Sequence, residues 1–224
     1  MEAVHQGYDS SQLESLPFNH NYLDHLRSGH ATNPSYTHTM NAETTDTTPA
    51  RNIILVGFMG SGKSTIGREL GKLLSYPLID TDSKIEDLEK LSVADIFSLR
   101  GENYFRNCET QAVEQLISDQ VTHHIIATGG GLPMKPQNRP LLRELGYVVW
   151  LDANTDTLLE RTSRNSNRPL LLTENPRETI EKMLAQRNDI YQEVSHLRLQ
   201  TTGLNVAETT HGILESARYF FGHS

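Results

Sequence analysis

The strongest chemical signal in the chain is Gly57-Phe58-Met59-Gly60-Ser61-Gly62-Lys63-Ser64-Thr65, which satisfies G-x-x-x-x-G-K-[ST] between an apolar run and an amphipathic one. Glycines at 57, 60 and 62 let the backbone curl until successive N–H groups point at phosphate oxygens, and a helix starting there adds its positive end. The motif makes Gly60, Ser61, Gly62, Lys63, Ser64 and Thr65 the contacts of a nucleoside triphosphate. Lys63 supplies charge for the β- and γ-phosphates, and the Ser64 hydroxyl is placed to ligate a Mg²⁺ that bridges them. GTPases carry Asn-Lys-x-Asp and Asp-x-x-Gly strings, and neither occurs here.

Five other groups of residues could complete a site beside the phosphates. Asp80-Thr81-Asp82 ends an apolar run. On an extended segment the two carboxylates would point the same way, one to order Mg²⁺ and its waters and the other to take a proton from a hydroxyl. Asp82 could equally cap a helix beginning near Ser83, and the residues alone leave both readings open. Gly129-Gly130-Gly131 costs backbone entropy, which implies positive φ or close approach to a ligand. At about 100° per residue, Arg187 falls in the middle of the apolar face made by Ile180, Met183, Leu184, Ile190, Tyr191 and Val194. A guanidinium there needs an anion, from a structural carboxylate or from a ligand. Arg106 flanks the stripe of Tyr104, Phe105, Cys108, Ala112 and Leu116 and by itself reads as solvated, with Cys108 as core filler. The polar run from Arg164 to Leu171, carrying Arg168, suits a mobile lid that excludes water.

These residues need a scaffold that delivers them to one place. Five short apolar runs, Ile53 to Gly57, Pro77 to Asp80, His124 to Thr128, Tyr147 to Asp152 and Leu197 to Thr201, alternate with amphipathic segments. That alternation predicts βαβ units around a buried parallel sheet, with ligands beyond the carboxyl ends of its strands. Val148 to Asp152 imitates a second metal-binding strand, but an aspartate before Asn154 and Thr155 reads as a structural helix cap.

The 224 residues suffice for one such domain and a tail. Hydrophobic residues make up 36% of the chain, and the deficit is concentrated in residues 1–50, where one arginine stands against six carboxylates. That segment has no sustained apolar period and predicts a disordered extension, leaving 51–224 as the folded P-loop domain. Its five histidines have no metal-ligand spacing, and it lacks the pattern of a signal or transit peptide. A net charge of -8 argues against a nucleic-acid surface, and one cysteine excludes an internal disulfide. No apolar run reaches the roughly 20 residues of a membrane span. A soluble, cytoplasmic, monomeric protein is expected.

From about Arg51 to the mid-190s these motifs together resemble the shikimate kinases, through the phosphate loop, Asp80-Thr81-Asp82, Gly101-Glu102-x-x-Phe105-Arg106, Thr128-Gly129-Gly130-Gly131, Arg168-Pro169-Leu170-Leu171 and Arg187-x-x-x-Tyr191. The resemblance implies an α/β, three-layer P-loop fold of the nucleoside-monophosphate-kinase type, with a five-stranded parallel sheet in order 2-3-1-4-5, helices on both faces and a lid. It implies transfer of the ATP γ-phosphoryl group to the 3-hydroxyl of shikimate in chorismate and aromatic amino-acid biosynthesis, with Mg²⁺. By the same resemblance Asp82 holds the ring hydroxyls and orients or deprotonates the attacking one, and Arg106 and Arg187 grip the carboxylate. Gly129, Gly130 and Gly131 line the acceptor, Arg168 is the lid arginine on the phosphates, Arg161 stacks near adenine, and Asp80 orders the Mg²⁺ waters. Lys63, Asp82 and Arg168 form the catalytic set. The alternatives are a gluconate kinase-like enzyme of the same fold and a non-catalytic ATP-binding module.

Overall fold

The computed structural model describes residues 51–163 and 174–222. Both the 1–50 extension and the proposed lid with Arg168 lie outside the described residues. In chain order the elements are β1 (Ile53–Val56), α1 (Lys63–Leu74), β2 (Leu78–Asp80), α2 (Thr81–Glu89), α3 (Val93–Arg100), α4 (Glu102–Ser118), β3 (Ile125–Ala127), α5 (Asn138–Leu145), β4 (Tyr147–Asp152), α6 (Thr155–Ser163), α7 (Pro176–Val194), β5 (Leu197–Gln200) and α8 (Val206–Gly222). Each strand lies within one residue of the run that predicted it.

All strand pairs are parallel and the order is β2-β3-β1-β4-β5. Strand β1 is central, with Ile53 registered against Ile125 on one side and Tyr147 on the other. The chain fills one side of β1 with β2 and β3 and then crosses to the other side with β4 and β5. A ligand crevice opens at such a reversal, beyond the carboxyl ends of the strands.

Strand side chains alternate between two core layers, as the two-residue period requires. Ile54, Val56, Ile126, Val148 and Trp150 pack with Val113, Leu116, Leu142, Tyr191 and Val194 from α4, α5 and α7. Ile53, Leu55, Ile125, Val149 and Leu151 pack on the opposite face with Ile66, Leu70, Ile213 and Ala217 from α1 and α8. Burial on both faces explains why the three inner strands, β1, β3 and β4, are nearly continuous apolar runs. A smaller core of Ile85, Ile96, Phe105, Cys108 and Ala112 joins α2, α3 and α4, and Cys108 fills space there.

Two local expectations change. Helix α2 begins at Thr81, not near Ser83, and its cap is Asp80, whose carboxylate accepts from the Asp82 and Ser83 amides. Asp82 is therefore neither a cap nor on extended backbone: it sits in the first helical turn. Asp152 is structural but not a helix cap, because Arg198 donates to its Oδ2 from Nε at 3.0 Å and Nη2 at 2.8 Å. Asn154 does the capping instead, accepting from the Thr157 amide at 2.9 Å. No helix among the described residues is long and apolar enough to cross a membrane.

Candidate active site

The loop between β1 and α1 turns on three glycines with positive φ, Gly57 at 137°, Gly60 at 83° and Gly62 at 99°. Side chains rarely adopt such backbone, which is why the sequence spends glycine there. The Lys63 amine donates to the Gly57 and Phe58 carbonyls at 2.8 and 2.9 Å, so it arches over the loop whose amides would face phosphate. Ser64 donates from Oγ to Asp80 Oδ2 at 2.9 Å. The two residues expected at a Mg²⁺ site thus meet, one from α1 and one from the end of β2, and both offer the oxygen ligands that a hard cation takes.

A cavity of about 490 Å³ lies over this loop. Lys63, Ser64, Asp80, Asp82 and Gly130 border it, with Ser61, Thr65 and Arg161 also on its wall. Arg161 reaches the Gly60 carbonyl at 3.4 Å. The opposite wall is built by Thr201, Leu204, Asn205, Val206 and Thr209, between β5 and α8. The family resemblance puts an adenine-side segment near Thr201 to Asn205, although its residues match the family pattern poorly, and Thr201, Leu204 and Asn205 do border the cavity.

Asp82 is the hinge between this cavity and a second group of charges. Its Oδ1 is buried and has no hydrogen-bond partner among the described residues. Burial first, and then the charge of Asp80, push the Asp82 carboxyl up to about 6, against the opposing pull of Lys63. Beside it stands Glu109, fully buried, with an equally unpartnered Oε1. Burial, reinforced by the Asp82 charge, pushes Glu109 up to about 7 while Arg106 and Arg187 restrain it.

Arg106 donates from Nη1 to Glu109 Oε2 at 2.8 Å and from Nη2 to Glu102 Oε1 at 2.8 Å. Burial alone would lower its pKa, but those carboxylates hold it above the ordinary value. Its side chain is 17% exposed, so it is not the solvated arginine that its flank position suggested. Arg187 is half-buried, with its guanidinium 5.6 Å from the centre of the Phe58 ring. Among the described residues no carboxylate forms an ion pair with it.

The three glycines need neither positive φ nor a ligand to explain them. A Cβ on Gly129 would lie 2.5 Å from Asp82 Oδ1 and 2.8 Å from Glu109 Oε1, and one on Gly131 would collide with the Arg106 guanidinium. Gly130 rests on the phosphate loop, where a Cβ would lie 3.3 Å from the Gly57 carbonyl oxygen. Functional side chains close in on Gly129 and Gly131, and the phosphate-loop backbone closes in on Gly130.

The structure therefore gathers Gly60 to Thr65, Asp80, Asp82, Gly130 and Arg161 around one cavity, with Gly129, Gly131 and Arg106 immediately behind Asp82. Arg187 approaches through Phe58, and Arg168 lies outside the described residues. Glu109 was missed, although helix arithmetic could have found it. At about 100° per residue it falls at the edge of the stripe of Phe105, Cys108, Ala112 and Leu116, between Leu116 and the buried Val113, where a carboxylate is anomalous.

The family model described as shikimate kinase matches residues 59–218. A shikimate kinase of Thioalkalivibrio sulfidiphilus is 43% identical over 173 residues, covering 77% of this chain and 88% of the relative. The solved shikimate kinase of Acinetobacter baumannii, in complex with shikimate, superposes with a TM-score of 0.72 at 36% identity, covering 80% of this chain and 96% of that one. A gluconokinase from Sinorhizobium meliloti shares the fold at 18% identity and a TM-score of 0.50, covering 79% of this chain and 98% of its own.

Proposed function

The chain belongs to the shikimate kinase family and shares its activity in aromatic amino-acid biosynthesis, and we propose that the site described above transfers the γ-phosphoryl group of ATP to the 3-hydroxyl of shikimate. Membership in this family sets aside the gluconate kinase-like and non-catalytic alternatives.

In this reading Gly60 to Thr65 hold the triphosphate, Lys63 neutralises charge on the transferring group, and Arg161 flanks the adenine. The observation that carries the acceptor side is the buried, unpartnered Asp82 oxygen at the edge of the nucleotide cavity. A carboxylate there accepts the acceptor hydroxyl's hydrogen bond and orients its oxygen towards the γ-phosphorus. As the new O–P bond forms, the bond between the γ-phosphorus and the β,γ-bridging oxygen breaks, ADP departs, and the hydroxyl proton passes to Asp82. Arg106 and Arg187 supply the positive charge that a carboxylate-bearing acceptor needs. Gly129, Gly130 and Gly131 let the acceptor approach this ring of side chains, and Arg168 neutralises charge on the phosphates.

Ser64 would hold a Mg²⁺ directly and Asp80 would hold it through water; the ion supplies charge neutralisation on the β- and γ-phosphates. The catalytic unit is residues 51–224, a cytoplasmic monomer. Incubation of the purified protein with ATP, Mg²⁺ and shikimate, followed by ³¹P and ¹H NMR of the product, tests this reading. It predicts a phosphoester on the 3-hydroxyl, and phosphorylation at another hydroxyl would sink the assignment of the acceptor pose.

A further inference from the structure

Tyr191 lies 0% exposed on α7, packed 5.7 Å from the Trp150 ring, yet it carries a hydroxyl into that apolar layer. Phenylalanine would fill the same volume without a polar atom to satisfy. The hydroxyl donates to the Gly130 carbonyl at 2.6 Å. From the other side, Thr81, also wholly buried, accepts the Gly129 amide on Oγ1 at 3.0 Å. Within the turn the Gly129 carbonyl takes the Leu132 amide at 3.2 Å and the Gly131 carbonyl takes the Met134 amide at 3.0 Å.

Each of these bonds fixes a peptide plane. In a trans peptide the C=O and the following N–H point in opposite directions, so anchoring the carbonyl aims the amide. Leu132 anchors the plane that carries the Gly130 N–H, and Tyr191 anchors the plane that carries the Gly131 N–H. Neither amide donates to any described residue. The turn therefore presents two adjacent N–H groups beside Asp82 and Arg106, with the second aimed away from α7.

We propose that the Tyr191 hydroxyl is a positioning group for acceptor phosphorylation. It locks the Gly130–Gly131 peptide so that these amides face the acceptor, and Thr81 secures the other end of the same turn. Because Arg187 lies one helical turn before Tyr191, a single helix sets both the turn and a carboxylate-binding guanidinium. Burial pushes the Tyr191 phenol up to about 12, while Arg187, whose guanidinium also hydrogen-bonds this hydroxyl, pulls the other way.

This inference rests on the acceptor reading given above, and its test keeps the two apart. Wild type, Tyr191→Phe, Thr81→Val, Thr81→Ser and Val194→Ala are assayed with ATP and shikimate below their melting temperatures. Val194→Ala is the packing control, since Val194 is buried on the same helix and in the same core layer. Loss of one oriented hydrogen bond predicts a fall of about tenfold in kcat/KM for shikimate in Tyr191→Phe, with KM for ATP unchanged. Thr81→Val falls in the same direction, Thr81→Ser recovers, and Val194→Ala loses Tm without a shift in either KM. A Tyr191→Phe enzyme with unaltered shikimate kinetics overturns the inference, as does one whose ATP and shikimate parameters move together. A wild type inactive on shikimate overturns the acceptor reading and this inference with it.

Discussion

Arg106 and Glu109 stand three residues apart on α4 and meet in a 2.8 Å ion pair in which the carboxylate is fully buried and the guanidinium is not. The asymmetry gives the pair a direction. Glu109 is the fixed anchor in the core, and Arg106 is held by it with its remaining surface turned towards Gly131 and Asp82.

If Glu109 orients Arg106, Glu109→Gln keeps the shape of the side chain but loosens the guanidinium. The expected result is a rise in KM for shikimate of about tenfold, the worth of a charge-assisted hydrogen bond, with KM for ATP unchanged. Steady-state kinetics with each substrate varied in turn checks this.

Asp82 is proposed as the proton acceptor, so Asp82→Asn is expected to lower kcat by about 10²–10⁴-fold while ATP binding, followed by calorimetry, stays as in wild type. The same change removes a charge whose burial has raised its pKa to about 6. Ionised Asp82 opposes folding at neutral pH, and the variant should melt no lower than wild type. Loss of activity accompanied by a lower Tm would assign Asp82 to structure instead.

The pH dependence follows from the same two carboxyls. Folded values of about 6 for Asp82 and about 7 for Glu109 lie above the ordinary 3.8 and 4.5, so the folded state binds more protons than the unfolded one within those windows. Their contribution to stability is greatest at acid pH and declines as pH rises through about 4 to 7. Activity runs the other way, because the Asp82 carboxylate must be ionised to accept a proton. The profile of kcat/KM for shikimate should fall below pH 7 with apparent values that belong to the pair rather than to either residue. A profile flat down to pH 5 contradicts the assignment.

Gly129→Ala should damage the acceptor side selectively, since its Cβ would displace the Asp82 and Glu109 carboxylates together. The expected signature is a loss of at least tenfold in kcat/KM for shikimate with ATP affinity retained, from the same kinetic and calorimetric measurements.

Much of this architecture was legible in the sequence because its signals are local. The apolar runs placed the strands to within a residue, and the phosphate loop announced its own chemistry. What escaped were relationships set by tertiary packing. No spacing rule tells that Gly129 is glycine on account of Asp82 and Glu109, or that the Tyr191 hydroxyl finds the Gly130 carbonyl 61 residues away. Asp80 ends the strand as expected, but Asp82 was misplaced for a local reason: the helix begins at Thr81, directly after the strand, leaving no extended segment for the second carboxylate. Glu109 escaped for want of applying to α4 the arithmetic that singled out Arg187.

The central claim is that Asp82, Arg106 and Arg187 form an acceptor site for shikimate beside the phosphate loop. Its most direct test is coupled ADP release by the purified full-length protein, measured with shikimate and with gluconate, in wild type and in Arg106→Lys and Arg187→Lys. Turnover of shikimate but not gluconate is predicted, with KM for shikimate raised in both variants and KM for ATP unchanged. Gluconate turnover without shikimate turnover, or arginine variants with wild-type shikimate kinetics, would contradict it.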